Sequence, residues 1–249
     1  MNRIRQDKIK DFIEEKNVVT IRQLQELFPN VSLMTIHRDL DVLVKEGAVV
    51  KFRGGAKSVR LSGDPEFTVR MHENNAGKLV IAQKALSLIQ PHTSVFLDAS
   101  TTNLALARSL PDINLNIFTT GPSIALELCR LHNPVVTLCC GTINRKNLAL
   151  SGQNTLEMLE KINIDQAFIG VSGCSVEAGF TCGTESDMLV KRLVIQKART
   201  SVAMCSRDKL NCLMPYTFAR LEDVDYLISD ASMPETFQAA AKESGIQLL

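Results

Sequence analysis

From residue 94 to residue 244 the chain alternates short apolar runs with stretches of helical periodicity. The runs 94–98, 115–119, 135–139, 164–169, 201–205 and 226–229 are expected strands, and 103–110, 123–131, 155–161, 187–199 and 234–244 expected helices. Runs apolar on both faces need cover on both faces, and helices between consecutive strands supply it. The pattern therefore predicts an α/β, doubly wound, mostly parallel sheet. A further helical stretch (Leu79, Ile81, Ala82, Ala85, Leu86, Ile89) leads into the first strand. With 249 residues, 45% of them hydrophobic, the chain can form one large or two unequal domains, and wholesale disorder is excluded.

The first sixty residues read differently. A net charge of +1 weighs against a nucleic-acid ligand only if it is evenly spread, and it is not. Residues 1–60 carry 12 Lys and Arg against 8 Asp and Glu (+4), and residues 61–249 carry 16 against 19 (−3). Ile4, Ile9, Phe12 and Ile13 mark a first amphipathic helix, broken at Asn17-Val18-Val19. Thr20 and Gln23 form a capping-box start to a second, short helix closed by Pro29-Asn30. Ser32 caps a third helix to about Glu46, stopped by Gly47. Ile36, Leu40, Leu43 and Val44 are its expected core face, which turns Met34, Arg38, Asp41 and Lys45 outward with Thr35 and His37 beside them. A β-like run then ends in Gly54-Gly55, with Lys51, Arg53 and Lys57 around the turn. Three helices and a basic hairpin make a winged helix-turn-helix, with the third helix in the major groove and the wing on phosphates. A solvated face of a helical interaction module is the bland alternative. The combined tight turn, caps, outward Arg38 and basic wing favour double-stranded DNA. Thr20, Ser32, Met34, Thr35, His37, Arg38, Lys45, Lys51 and Arg53 are the candidate contacts. The expected division is 1–57 for DNA, 58–75 as linker around Ser62-Gly63-Asp64-Pro65 with a short helix around Val69 to His72, and 76–249 for the α/β domain.

The N-terminus has no apolar stretch of the secretory type, and no uncharged run is long enough for a membrane span. Seven cysteines without CxxC spacing argue against a disulfide framework or zinc site, so reduced thiols in a cytoplasmic protein are expected, with no metal and no cofactor.

Ligands of doubly wound sheets bind beyond the carboxyl ends of the strands. Polar residues gather at those ends. Asp98, Ser100, Thr101 and Thr102 join a strand to a helix start, where free N–H groups suit a phosphate. Thr119-Thr120 and Gly141-Thr142 end the next two strands, and Gly170, Gly173 and Gly179 form an expected loop after the fourth. Taken singly these are turn and cap residues; three hydroxyl-rich turns at one sheet edge form a candidate ligand site.

The segment Val31-Ser32-Leu33-Met34-Thr35-Ile36-His37-Arg38-Asp39-Leu40, followed by Phe52-Arg53-Gly54-Gly55-Ala56, resembles the N-terminal signature of the DeoR family of bacterial sugar-operon repressors. His37 stands where that family has the first arginine of a pair. The resemblance continues through Asp98–Asn103 at the family's phosphate loop, Thr119-Thr120, Cys140-Gly141-Thr142, and Asp165–Gly173, which matches unchanged. It includes Asp187 with Lys191 four residues on, and Ser206-Arg207-Asp208-Lys209, where the lysine is kept and the first aspartate lost. It implies a C-terminal domain similar to sugar-phosphate isomerases that senses a phosphorylated sugar without turning it over. It adds Asp165, Lys191 and Lys209 as effector contacts. For Asp187 and Lys191 an exposed i,i+4 pair is the equal alternative, and Glu185 fits either role.

Together these features predict a repressor of a carbohydrate-metabolism operon, released from its operator by a sugar phosphate and acting as a dimer or tetramer. The alternative is a sugar-phosphate isomerase with an appended DNA-binding domain, for which Asp98, Asp165, Glu185 and Asp187 are the candidate bases. A third reading is a regulator whose altered pocket has given way to a partner protein.

Overall fold

The computed structural model describes residues 2–16, 18–46, 48–52, 54–58 and 66–249. In the N-terminal unit, α1 (Asn2–Lys16), α2 (Ile21–Leu27) and α3 (Leu33–Lys45) pack around Ile9, Ile13, Leu24, Ile36, Leu40 and Leu43. Thr20 and Gln23 form the expected capping box, and Ser32 Oγ accepts from Thr35 N. β2 (Val49–Phe52) and β3 (Gly55–Ser58) make the hairpin, and β1 (Val18–Thr20), expected only as a break, pairs antiparallel with β3. The result is a winged helix-turn-helix.

Two expected core positions are solvent-facing. Ile4 is 66% exposed, because a five-residue step from Ile9 rotates it about 140° around the helix. Val44 is 40% exposed. It lies about 80° from Ile36, and the opposite flank of the stripe is taken by Asp39. That buried carboxylate accepts from Arg5 Nε (2.5 Å), Arg5 Nη2 (3.2 Å) and Gln6 Nε2 (3.0 Å), so a charge replaces an apolar side chain between α1 and α3.

The C-terminal unit centres on a seven-stranded all-parallel sheet in the order β15-β14-β12-β9-β4-β5-β6. Its strands are β4 (Ser94–Leu97), β5 (Asn116–Thr119), β6 (Val135–Leu138), β9 (Ile164–Gly170), β12 (Ala198–Met204), β14 (Tyr226–Ile228) and β15 (Gln247–Leu248). The helices are α5 (Asn75–Leu86), α6 (Thr101–Ser109), α7 (Pro122–Leu128), α8 (Gln153–Glu160), α9 (Glu185–Lys197) and α10 (Glu235–Ser244). Two apolar clusters cover the sheet. One contains Leu97, Leu104, Ile117 and Phe168 and the other Phe96, Ile169, Val194 and Phe237. Strand order runs outward from β4 through β5 to β6, then returns to β9 on the other side of β4. The switch point lies between β4 and β9.

Part of the chain departs from the expected alternation. The polar stretch after β6 is a hairpin, β7 (Thr142–Asn144) with β8 (Ala149–Ser151). The glycine-rich segment after β9 is not a loop: Gly173 opens β10 (Gly173–Ser175) and Gly179, at φ +72°, opens β11 (Gly179–Cys182). With β13 (Tyr216–Ala219) these form a small antiparallel sheet. Within the expected linker, 59–65 lie outside the described residues, and α4 (Phe67–His72) is packed through buried Phe67. All seven cysteines are free thiols, five of them buried, and burial pushes the Cys139 thiol up to about 11.

Candidate functional site

A cleft opens at the β4/β9 switch point, where the carboxyl ends of neighbouring strands diverge. One wall is the β4–α6 turn. Ser100 caps α6 by accepting from Asn103 N (3.1 Å). The first-turn N–H groups of a helix have no intrahelical acceptor, so those of Thr101 and Thr102 are the open donors at the positive end of α6. Asp98 braces this turn from below. It is 2% exposed; Oδ1 accepts from Ser100 N (3.0 Å) and Asn103 Nδ2 (2.7 Å), and Oδ2 from Gly170 N (3.0 Å). Asn103 also donates to Phe168 O (2.7 Å), joining α6 to β9. Gly170 fits because a Cβ there would overlap Ser100.

The floor holds Lys191 of α9, 3% exposed. Its ammonium donates to Gly170 O (2.8 Å), pairs with Asp187 (3.0 Å) and Asp98 (3.3 Å), and lies 5.2 Å from the Phe218 ring centroid. Burial pulls its pKa down, but the two carboxylates outweigh burial and hold it above the ordinary lysine value. Lys191 is therefore saturated by internal partners, and the exposed-pair reading of Asp187 and Lys191 is set aside. Opposite stand Ser206, Asp208 and Lys209, and Asn74 Nδ2 donates to Asp208 Oδ1 (3.3 Å) and Asp230 Oδ2 (3.2 Å). For Asp208, desolvation by burial raises the pKa, but bonding from Ser206 and the Lys209 charge outweigh it and hold the carboxyl below its ordinary range.

The remaining wall is built by residues outside the expected effector set. Arg70 of α4, Glu73 and Asn74 of the connection to α5, and Lys78 of α5 line the cleft, and Asn147 and Ala149 of the β7–β8 hairpin close one end. Lys78 is buried and donates to the carbonyls of Arg70 and Glu73 (2.6 Å to the latter); desolvation pulls its pKa down. The signal in the sequence was Lys78 itself, a lysine on the apolar face of a helix two residues before Val80-Ile81-Ala82.

Of the expected effector residues, Asp98, Ser100, Thr101, Thr102, Gly170, Asp187, Lys191 and Lys209 meet at the cleft. The others do not line it. Asp165 sits at the amino end of β9, the opposite sheet edge, where Ser94 N and Oγ (both 2.9 Å) donate to it and hold its carboxyl below the ordinary range. Thr119 Oγ1 accepts from Gly121 N (3.0 Å), and Thr120 is buried with its carbonyl accepting from Leu150 N. Gly141, at φ +146°, lies against Thr155 and Ser151, and exposed Thr142 begins β7. Gly173 packs on the Cys212 carbonyl. Glu185 is exposed in the first turn of α9.

In the N-terminal unit, Met34 and Arg38 are exposed on α3, with Thr35 and His37 half-buried beside them. The Thr35 hydroxyl meets Ser32 Oγ (2.9 Å), and exposed Thr20 is committed to its capping box. Lys51 pairs with Asp41 of α3 (2.8 Å), tying wing to helix. Arg53 and the Lys45 side chain lie outside the described residues.

Residues 5–61 match the DeoR-like helix-turn-helix domain, and residues 73–231 match the DeoR C-terminal sensor domain. The chain belongs to the DeoR family. DeoR-family relatives align along nearly its whole length. The HTH-type transcriptional repressor GlcR of Bacillus subtilis is 33% identical over 97% of this chain and 93% of its own. The uncharacterized HTH-type transcriptional regulator YgbI of Escherichia coli is 33% identical over 97% and 94%, and the L-fucose operon activator of Escherichia coli 30% identical over 92% and 96%. A ribose 5-phosphate isomerase A from Methanocaldococcus jannaschii overlays 53% of each chain with a TM-score of 0.40 and 16% identity. This DeoR-family chain is thus a DNA-binding transcriptional regulator with a sensor domain, and no helix among its described residues is long and apolar enough to cross a membrane.

Proposed function

We propose that the chain is a cytoplasmic repressor of a carbohydrate-metabolism operon, released from its operator by a phosphorylated sugar held in the switch-point cleft. The observation that carries this reading is the convergence there of an open helix N-terminus, two hydroxyls and three cationic side chains. Thr101 and Thr102 on α6 face Arg70, Lys78 and Lys209 across one cleft. N–H donors and ammonium groups suit a phosphate, while Glu73, Asn74 and Asp208 offer acceptors to sugar hydroxyls. Lys191 supports the floor and leaves the phosphate to the other cations.

The isomerase alternative is less well supported by the same geometry. Asp98 and Asp187 are tied to Lys191, Asp165 lies at the far sheet edge and Glu185 points outside, so none of the four nominated carboxylates is poised over the cleft as a base. GlcR is named a repressor, which supports the sign proposed here.

On the DNA side, Arg38, Met34 and His37 are the proposed base-reading residues, and Thr20, Ser32, Thr35, Lys45, Lys51 and Arg53 the proposed phosphate contacts. One short recognition helix gains affinity by pairing on a two-fold site, so the active species is a dimer or tetramer. The test is fluorescence anisotropy of an operator selected from random DNA, titrated with pentose and hexose phosphates. One of them releases the protein and the unphosphorylated sugar does not. Retention on DNA against the whole panel refutes the proposed effector class.

A further inference from the structure

The recognition helix opens on two apolar side chains that the described residues leave largely exposed. Leu33 is 45% exposed and Met34 63%, in the turn directly after the Ser32 cap. A surface helix ordinarily carries polar residues there. The neighbouring polar groups are already committed, Thr35 to Ser32 and Asp41 to Lys51. Four residues beyond Met34, on the same face, stands exposed Arg38. The outermost row of α3 is thus an apolar tip followed one turn later by a guanidinium.

We infer that Met34 is a specificity-determining residue that packs on the 5-methyl group of a thymine in the operator half-site. The inference rests on the reading of α3 as the DNA-reading helix and goes beyond it by naming the base. In the major groove the N-terminal residues of a recognition helix reach base edges, and only thymine offers an apolar group there. Arg38 matches the O6/N7 edge of guanine. Four residues advance the helix by about 6 Å, and stacked bases rise by about 3.4 Å, so the thymine and guanine lie about two base steps apart. His37, with a shorter ring beside Arg38, leaves the Met34–Arg38 row the outermost one.

The experiment uses the full chain and an operator duplex selected from random DNA. Each thymine is replaced in turn by dU, which lacks only the methyl, and binding is measured for the wild type, Met34→Ala and Met34→Leu. Burying one methyl-sized group corresponds to about fourfold in affinity. One thymine per half-site is expected at which dU weakens the wild type and Met34→Leu about fourfold and leaves Met34→Ala unaffected. A guanine within about two base steps should lose its contribution in Arg38→Ala. Equal dU sensitivity of wild type and Met34→Ala at every position, with tight operator binding retained, overturns the thymine contact alone. Absence of any sequence-preferring complex overturns the DNA-reading assignment of α3 together with it. Met34 is exposed, so all variants are expected to fold, which circular dichroism checks.

Discussion

Replacing Lys191 with methionine, which keeps the side-chain length, tests whether the cleft floor is held by charge. The wild-type ammonium has three oxygen partners, Gly170 O at 2.8 Å, Asp187 at 3.0 Å and Asp98 at 3.3 Å, and is 3% exposed. Removing one partner of a buried ion pair costs about 3–5 kcal/mol. The lower end applies, because Asp98 keeps its bonds from Ser100, Asn103 and Gly170 and Asp187 is partly open to water. About 3 kcal/mol corresponds to a fall in Tm of about 6–12 °C for a unit of this size. An exposed i,i+4 pair would give about 0.3–0.5 kcal/mol, so the two descriptions differ severalfold. Because Lys191 has its pKa raised in the folded state, its contribution is fully present below the ordinary lysine range and is lost only as pH rises through the folded value. The assay is urea unfolding at neutral pH, following the transition of the larger unit, with operator binding as a control. A change below about 1 kcal/mol with an unchanged m value would refute the buried-floor description.

Three further outcomes are expected. The double substitution Thr101→Ala/Thr102→Ala should leave operator affinity intact and abolish release by the sugar phosphate that acts on the wild type; unchanged release in the anisotropy titration would remove the α6 turn from the effector site. Gly170→Ala should drive a methyl into Ser100, cost about 1–3 kcal/mol as overpacking and blunt effector response, read by thermal melts and the same titration. Asp165→Asn should lower Tm at neutral pH without changing effector affinity. Since Asp165 has a depressed folded pKa, its contribution is present above the ordinary carboxylate value and lost as pH falls through the folded one, so the Tm gap to wild type should close in strong acid.

The central sheet was legible because strands buried on both faces have a two-sided apolar pattern that survives without tertiary information. The caps at Thr20 and Ser32 were legible because a cap needs its oxygen three residues before its donor. The short antiparallel strands β10, β11 and β13 carry three or four residues each, and the first two begin at glycines, so local pattern does not separate them from turns. Of the expected residues at strand ends, Asp98 to Thr102 and Gly170 line the cleft, whereas Thr119, Thr120 and Gly141 do not. Arg70 and Lys78 reach the cleft only through the packing of α4 and α5, which spacing does not encode. Asp165 lies away from the cleft for a related reason: its motif spans a whole strand, and the strand carries its two ends to opposite edges of the sheet.

The cleft is assembled from segments far apart in the chain: α4 and α5 on one side, and Ser206 to Lys209 on the other. The last described strand of the winged unit, by contrast, ends at Ser58. A ribosome adding about 5–20 residues each second needs about 8–30 s to pass from that point to Lys209. A newborn chain therefore has its operator-reading surface finished while one wall of its sensor is still unmade. During that interval the proposed effector has no complete site to fill. The placement of Ser206 to Lys209 about 150 residues after the wing means that the proposed sensor cleft is closed only well after the means of holding DNA is made.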